Sequence, residues 1–153
     1  MNDTTWERWS IASGFAMLAL VVGACTASPS APEAGPAPAG LTQEDNQGAV
    51  TVSITPLNLE NPSSTLDFEV TLDTHSVDLS MDLAKLAFIR TDGGKEVLAS
   101  AWPVGSGHHY KATLSFPALV ADGKSLLEGI SKLTLVIKDI GVPERVFEWS
   151  LAR

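Results

Sequence analysis

The sequence has one cysteine, one tyrosine, and 10 basic residues against 18 acidic ones. A single thiol, Cys25, excludes an internal disulfide, a Cys-X-X-Cys redox pair and a cysteine-based structural zinc site. Any exported domain must therefore be held by packing alone. The shortage of positive charge argues against nucleic acid and anionic lipid as partners. Residues 1–24 hold only Asp3, Glu7 and Arg8, so the rest carries 16 acidic and 9 basic residues, a net charge of about −7. That charge keeps a surface domain soluble and is mildly favourable to cations. The apolar run at 11–24, IASGFAMLALVVGA, falls short of the ~20 residues a spanning helix needs. A phosphate-cradling glycine loop is absent, as is any internal repeat. Gly105-Ser106-Gly107-His108 sets a serine near a histidine, but without the Gly-X-Ser-X-Gly spacing of a nucleophile elbow. No catalytic residue is assigned, and the chain reads as non-enzymatic.

What is present begins with the apolar run. It follows a polar stretch, residues 1–10, and its length suits the core of a signal peptide. It ends in Val22-Gly23-Ala24-Cys25: an aliphatic residue, two small residues, then the cysteine. This pattern resembles the lipobox of bacterial lipoproteins. The resemblance implies cleavage before Cys25, a diacylglyceryl group on its sulfur and an acylated N-terminus on the extracytoplasmic face of the cell membrane. The small residues let an extended backbone enter a narrow protease site, and the thiolate takes the lipid. Each buried methylene contributes about 0.8 kcal/mol, so two or three acyl chains hold firmly where one binds reversibly. The departure from the family pattern is a weak basic flank, Arg8 set against Asp3 and Glu7. The competing reading is a short uncleaved anchor.

Residues 28–40, SPSAPEAGPAPAG, supply no side chain large enough for a core. Their prolines favour extended polyproline II at about 3.1 Å per residue, and polar residues continue through Gln47, so 25–47 reads as a spacer. From Ala49 the pattern changes to period two. Val50, Val52 and Ile54 alternate with Thr51, Ser53 and Thr55; Leu66, Phe68, Val70 and Leu72 alternate with polar residues; so do Leu133, Leu135 and Ile137, and then Phe147, Trp149 and Leu151. Such alternation puts one face in a core and one in water, as in antiparallel sheets. Further strands are expected at 86–91, 96–100 and 109–116, with turns at Asn61-Pro62-Ser63, Asp92-Gly93-Gly94-Lys95 and Gly141 with Pro143. Helical pieces are expected only near 79–86 and within 118–129. Seven short strands without βαβ alternation predict an all-β fold, an immunoglobulin-like antiparallel β-sandwich. Trp149 and Phe147 are expected in the core, and Trp102, in a Pro/Gly loop, at the surface.

Strand parity brings the histidines together. If successive strands run antiparallel, the connections 74–85, 101–108 and 139–143 share one end of the sandwich. That end carries His75, His108, His109 and Asp139, with Asp73, Asp78, Trp102 and Glu144 nearby. Imidazole is a common ligand of zinc and copper, and a carboxylate can complete such a site. Three readings stay open: a copper or zinc site on His75, His108 and His109; a structural polar network, in which His75 hydrogen-bonds its own turn; and a polar binding surface. Adjacent His108 and His109 on one strand point to opposite faces unless a bend intervenes. Asp73, Asp78 and Asp82 lack the spacing of an EF-hand loop and read as solvated loop carboxylates. The expected organisation is thus a signal peptide at 1–24, acylated Cys25 and a linker at 25–47, and a β-sandwich at 48–153. Its expected work is binding or adaptor function, with the membrane (through lipid) and another exported protein as partners and no nucleic acid. The alternative is an exported copper- or zinc-binding domain.

Overall fold

The computed structural model describes residues 40–151; Cys25, its lipobox residues Val22, Gly23 and Ala24, and the proline-rich stretch lie outside them. The alternating segments form antiparallel strands: β1 (Gln43–Asp45), β2 (Val50–Pro56), β3 (Thr65–Thr74), β4 (Ala87–Thr91), β5 (Glu96–Leu98), β6 (His109–Pro117), β7 (Lys132–Lys138) and β8 (Glu144–Ser150). One helical turn, α1 (Leu83–Leu86), precedes β4. The strands form two four-stranded sheets, β1-β2-β3-β6 and β5-β4-β7-β8. Strand pairing is antiparallel throughout. The chain leaves the first sheet after β3, returns for β6 beside β3, then crosses again so that β7 lies beside β4. This is the Greek-key wiring of an immunoglobulin-like sandwich.

The core follows the alternation. On β3, Leu66, Phe68, Val70 and Leu72 are fully buried while Asp67, Glu69, Thr71 and Asp73 face outward. Phe68 meets Phe116 of β6 edge-on at 5.7 Å and Trp149 of β8 at 5.4 Å, the latter contact joining the two sheets. Burial of each such side chain contributes about 1.5–3 kcal/mol. Both Phe147 and Trp149 are core residues, as expected.

Two expectations need correction. The sandwich begins before residue 48, with an eighth strand: β1 pairs with β2 from Gln43↔Ile54 to Asp45↔Val52. Gln-Glu-Asp carries no alternating signal, because β1 is held by partners distant in the chain. Trp149 Nε1 donates to Leu41 O at 2.7 Å. The Gln43 side-chain amide bonds both the C=O (2.5 Å) and the N–H (3.3 Å) of Glu148 on β8. Residues 118–129 form no helix. They fold into a tight hairpin, with Leu119 bridged to Ser125 and Gly123 in the left-handed region at φ 78. The Leu126 N–H donates to Ala118 O at 2.8 Å and the Leu126 side chain is buried. The turn chemistry of Asp122-Gly123 outweighs the helical tendency of the flanking leucines. The helical piece expected near 79–86 is α1 alone, its first turn capped by the Asp82 carboxylate, which accepts from Ala84 N–H at 3.1 Å.

Candidate functional site

The expected loop-bearing end exists. Register places the start of β2, the end of β3 and the start of β6 together, since Val50 faces Thr74 and Asp73 faces His109. The Thr74 N–H donates to His108 O at 2.8 Å, and the Thr74 hydroxyl donates to Ala49 O at 2.7 Å. The β7–β8 turn at 139–143 meets the same end: a Cβ placed on Gly48 would stand 3.0 Å from Gly141 O.

The candidate site residues separate there. His109 lies on the outer face of its sheet, where its Nδ1 is 2.5 Å from Asp73 Oδ1. His75 follows directly after β3, and its ring stands edge-on to that of His109, centroids 6.1 Å apart. His108 offers its carbonyl to Thr74, and its imidazole makes no hydrogen bond or ring contact among the described residues. Asp139 opens the β7–β8 turn in a left-handed conformation (φ 60), its N–H donating to Pro143 O at 3.2 Å. Aspartate tolerates that conformation better than most side chains, so its place is explained by backbone geometry. Among the described residues, no three His, Cys, Asp or Glu side chains converge to hold a metal. His75, His108, His109 and Asp139 therefore do not form one four-residue site; only His75 and His109 come together, with Asp73.

The turn after β3 is shaped by Thr74 rather than by His75: the Thr74 hydroxyl oxygen accepts from the N–H groups of Ser76 and Val77, each at 3.2 Å. Asp78 is engaged by the N–H and hydroxyl of Ser80, and Asp82 by α1 and Lys85. Trp102 is buried, contrary to expectation, packed edge-on against Tyr110 at 5.6 Å with its Nε1 unpartnered among the described residues. The loop from Ala101 runs back along β6, where the Tyr110 hydroxyl donates to Pro103 O and Gly105 lies so close to the Tyr110 ring that no Cβ fits.

No family model, curated protein or solved structure matches this chain.

Two features escaped the sequence reading. The first is Arg145, fully buried beneath the same end. Its guanidinium donates to Ile140 O (3.2 and 3.1 Å), Asp45 O (3.0 Å), Asp45 Oδ1 (2.7 Å), Gln47 O (2.6 Å) and Val50 O (2.7 Å). It ties the β1–β2 loop to the β7–β8 turn across the two sheets. The signal was available: Arg145 shares strand parity with Phe147 and Trp149, so it had to point inward. The second is an asymmetry between outer faces. The β1-β2-β3-β6 sheet presents polar residues such as Glu69 and Lys111, paired at 2.7 Å. The other sheet carries an apolar row across all four strands, because Leu98, Phe88, Val136 and Val146 stand opposite one another in register. Leu98 and Val146, at the two ends of the row, are 65% and 49% exposed, whereas Phe88 and Val136 between them are buried at 6% and 2%. Phe88 is covered by the cations of Arg90 (5.3 Å) and Lys138 (5.2 Å), contacts stabilised by the ring quadrupole. Around the row lies a rim of ion pairs: Arg90–Glu96 at 3.0 Å and Lys132–Glu148 at 2.9 Å.

Proposed function

We infer that this chain is a lipid-anchored extracytoplasmic module that docks another exported protein through the outer face of the β5-β4-β7-β8 sheet. The observation that carries the docking half is the row Leu98–Phe88–Val136–Val146, which is continuous in register, exposed at its two ends and buried at Phe88 and Val136 between them. A partner that moves the Arg90 and Lys138 side chains off Phe88 would meet a contiguous apolar strip rimmed by charge, the pattern of an interaction surface. The anchoring half rests on Val22-Gly23-Ala24-Cys25 after a short apolar run. Among the described residues no helix is long and apolar enough to cross a membrane. A domain tethered at a membrane gains effective concentration towards any partner held at the same surface.

Two measurements test the halves separately. Mass spectrometry of the native protein should show a diacylated N-terminal cysteine at position 25, and Cys25→Ser should release the chain from the membrane fraction. An intact N-terminal methionine with a free thiol refutes the anchor. For docking, a photo-crosslinker at Val146 should give a discrete adduct in cells, and one at Ser53, on the polar face, should not. Equal labelling from both positions refutes the face assignment.

A further inference from the structure

We propose that His75 and His109 form a two-imidazole site for a divalent copper ion, with Asp73 as the positioning residue for His109. The site stands independently of the docking reading, on a different sheet.

Three observations carry it. The first is the Asp73–His109 pair. The two residues are direct partners in the β3–β6 register, so the backbone sets their approach, and Asp73 Oδ1 lies 2.5 Å from His109 Nδ1. An ionised carboxylate only accepts, so the proton of a neutral imidazole stays on Nδ1 and Nε2 is left as the lone-pair nitrogen. A carboxylate on the far nitrogen is the usual support of a metal-ligating histidine and raises its basicity.

The second is the spacing of the rings. Ligating nitrogens sit about 2.0–2.1 Å from the ion, so two imidazoles sharing it have centroids about 4.5 Å apart at a right angle and about 6.3 Å apart when opposed. The observed 6.1 Å lies inside that range. Both side chains are exposed, so the rings can turn their nitrogens toward a shared ion.

The third is preorganisation. His109 is held by strand β6, and His75 by a turn whose Thr74 hydroxyl bonds Ala49 O, Ser76 N and Val77 N. Both histidines are exposed, so solvent reaches the site. With no third protein ligand among the described residues, water completes the coordination. Such an open nitrogen site suits Cu(II), which stands at the head of the affinity series for divalent first-row ions, and is the wrong chemistry for calcium or magnesium, which take oxygen ligands.

The test uses the full chain and copper(II) chloride alone in a non-coordinating buffer, followed by electron paramagnetic resonance. Wild type should bind one ion with hyperfine structure from two imidazole nitrogens. His75→Ala and His109→Ala should each remove one nitrogen and weaken binding. Asp73→Ala should weaken it by about 10–100-fold without removing a nitrogen, and Asp73→Asn, which keeps an acceptor, should recover part of that loss. His108→Ala should leave spectrum and affinity unchanged. All positions are at the surface, and an unchanged thermal midpoint confirms that each variant is folded. Copper binding that is identical in wild type, His75→Ala and His109→Ala overturns the site, as does an equal loss in His108→Ala.

Discussion

Replacing Arg145 by methionine keeps a long unbranched side chain in a buried position and removes every donor of the guanidinium. The carbonyls of Asp45, Gln47, Val50 and Ile140, and the Asp45 carboxylate, then lose their partner. The bonds to Val50 and Ile140 are buried outright, so water cannot replace them without opening the end of the sandwich. An unsatisfied buried acceptor costs about 1–3 kcal/mol, and breaking a buried ion pair by deleting one member costs about 3–5 kcal/mol. The terms overlap, because the carbonyls and the carboxylate share one cation. We therefore expect Arg145→Met to lower the free energy of unfolding by about 3–5 kcal/mol, a large part of the 5–15 kcal/mol typical of a domain. Arg145→Lys keeps the charge but cannot span the same fan of acceptors, and should lose about 1.5–3 kcal/mol, the worth of one charge-assisted bond. Urea unfolding followed by tryptophan emission reads both variants, and a constant slope with a lower midpoint would place the loss in the folded state. A double-mutant cycle with Asp45→Ala should return a coupling of about 0.5–3 kcal/mol. An Arg145→Met protein within about 1 kcal/mol of wild type would refute the reasoning, since the marginal stability of the fold leaves no room for two orphaned buried carbonyls and a lost ion pair to go unnoticed.

The remaining predictions concern the turn, the tryptophans and the rim. Gly48→Ala meets a left-handed backbone (φ 66) and a Cβ only 3.0 Å from Gly141 O, whereas Gly94→Ala meets the same kind of backbone (φ 79) with open space. Gly94→Ala should cost the conformational term alone, about 1–2 kcal/mol, and Gly48→Ala clearly more, as read by thermal midpoints. Trp102→Phe removes an unpartnered donor and should cost less than Trp149→Phe, which deletes the 2.7 Å bond to Leu41 O; a difference of about 0.5–1.5 kcal/mol is expected from the hydrogen bond. The Glu148 carboxyl is held below its ordinary range by the Lys132 hydrogen bond, by the Lys132 charge and by Thr134. A depressed carboxylate contributes its stability above the unfolded range and loses it as pH falls through the lower folded value. Lys132→Ala should return the Glu148 titration, followed by carbon-detected NMR, toward the ordinary carboxylate range; an unmoved titration would contradict the assignment.

Period-two patterning is why so much of the fold was legible. Val50–Val52–Ile54 and Leu66–Phe68–Val70–Leu72 announce which face is buried, because a strand displays its side chains alternately. Turn chemistry behaved likewise at Asp92-Gly93-Gly94-Lys95, which closes β4 on β5. Where a local signal competed with another, as at 118–129, the hairpin chemistry of Asp122-Gly123 prevailed over scattered leucines. The histidine end was half legible: parity placed the connections at one end, but it carries no information on which rings approach.

The chain's own pattern determined the strands, their facing and the sandwich class, since these depend on neighbours two residues apart. Tertiary structure alone decided the rest. β1 exists because Glu148 and Arg145 bind it, and Trp149 binds Leu41 just before it, from about a hundred positions away. Asp73 reaches His109 because the β3–β6 register makes them partners, and Leu98, Phe88, Val136 and Val146 become one row only when four strands align. The physical reason is common to all three. Register and cross-sheet contact are set by the summed packing of the core, and no local window of residues contains that sum.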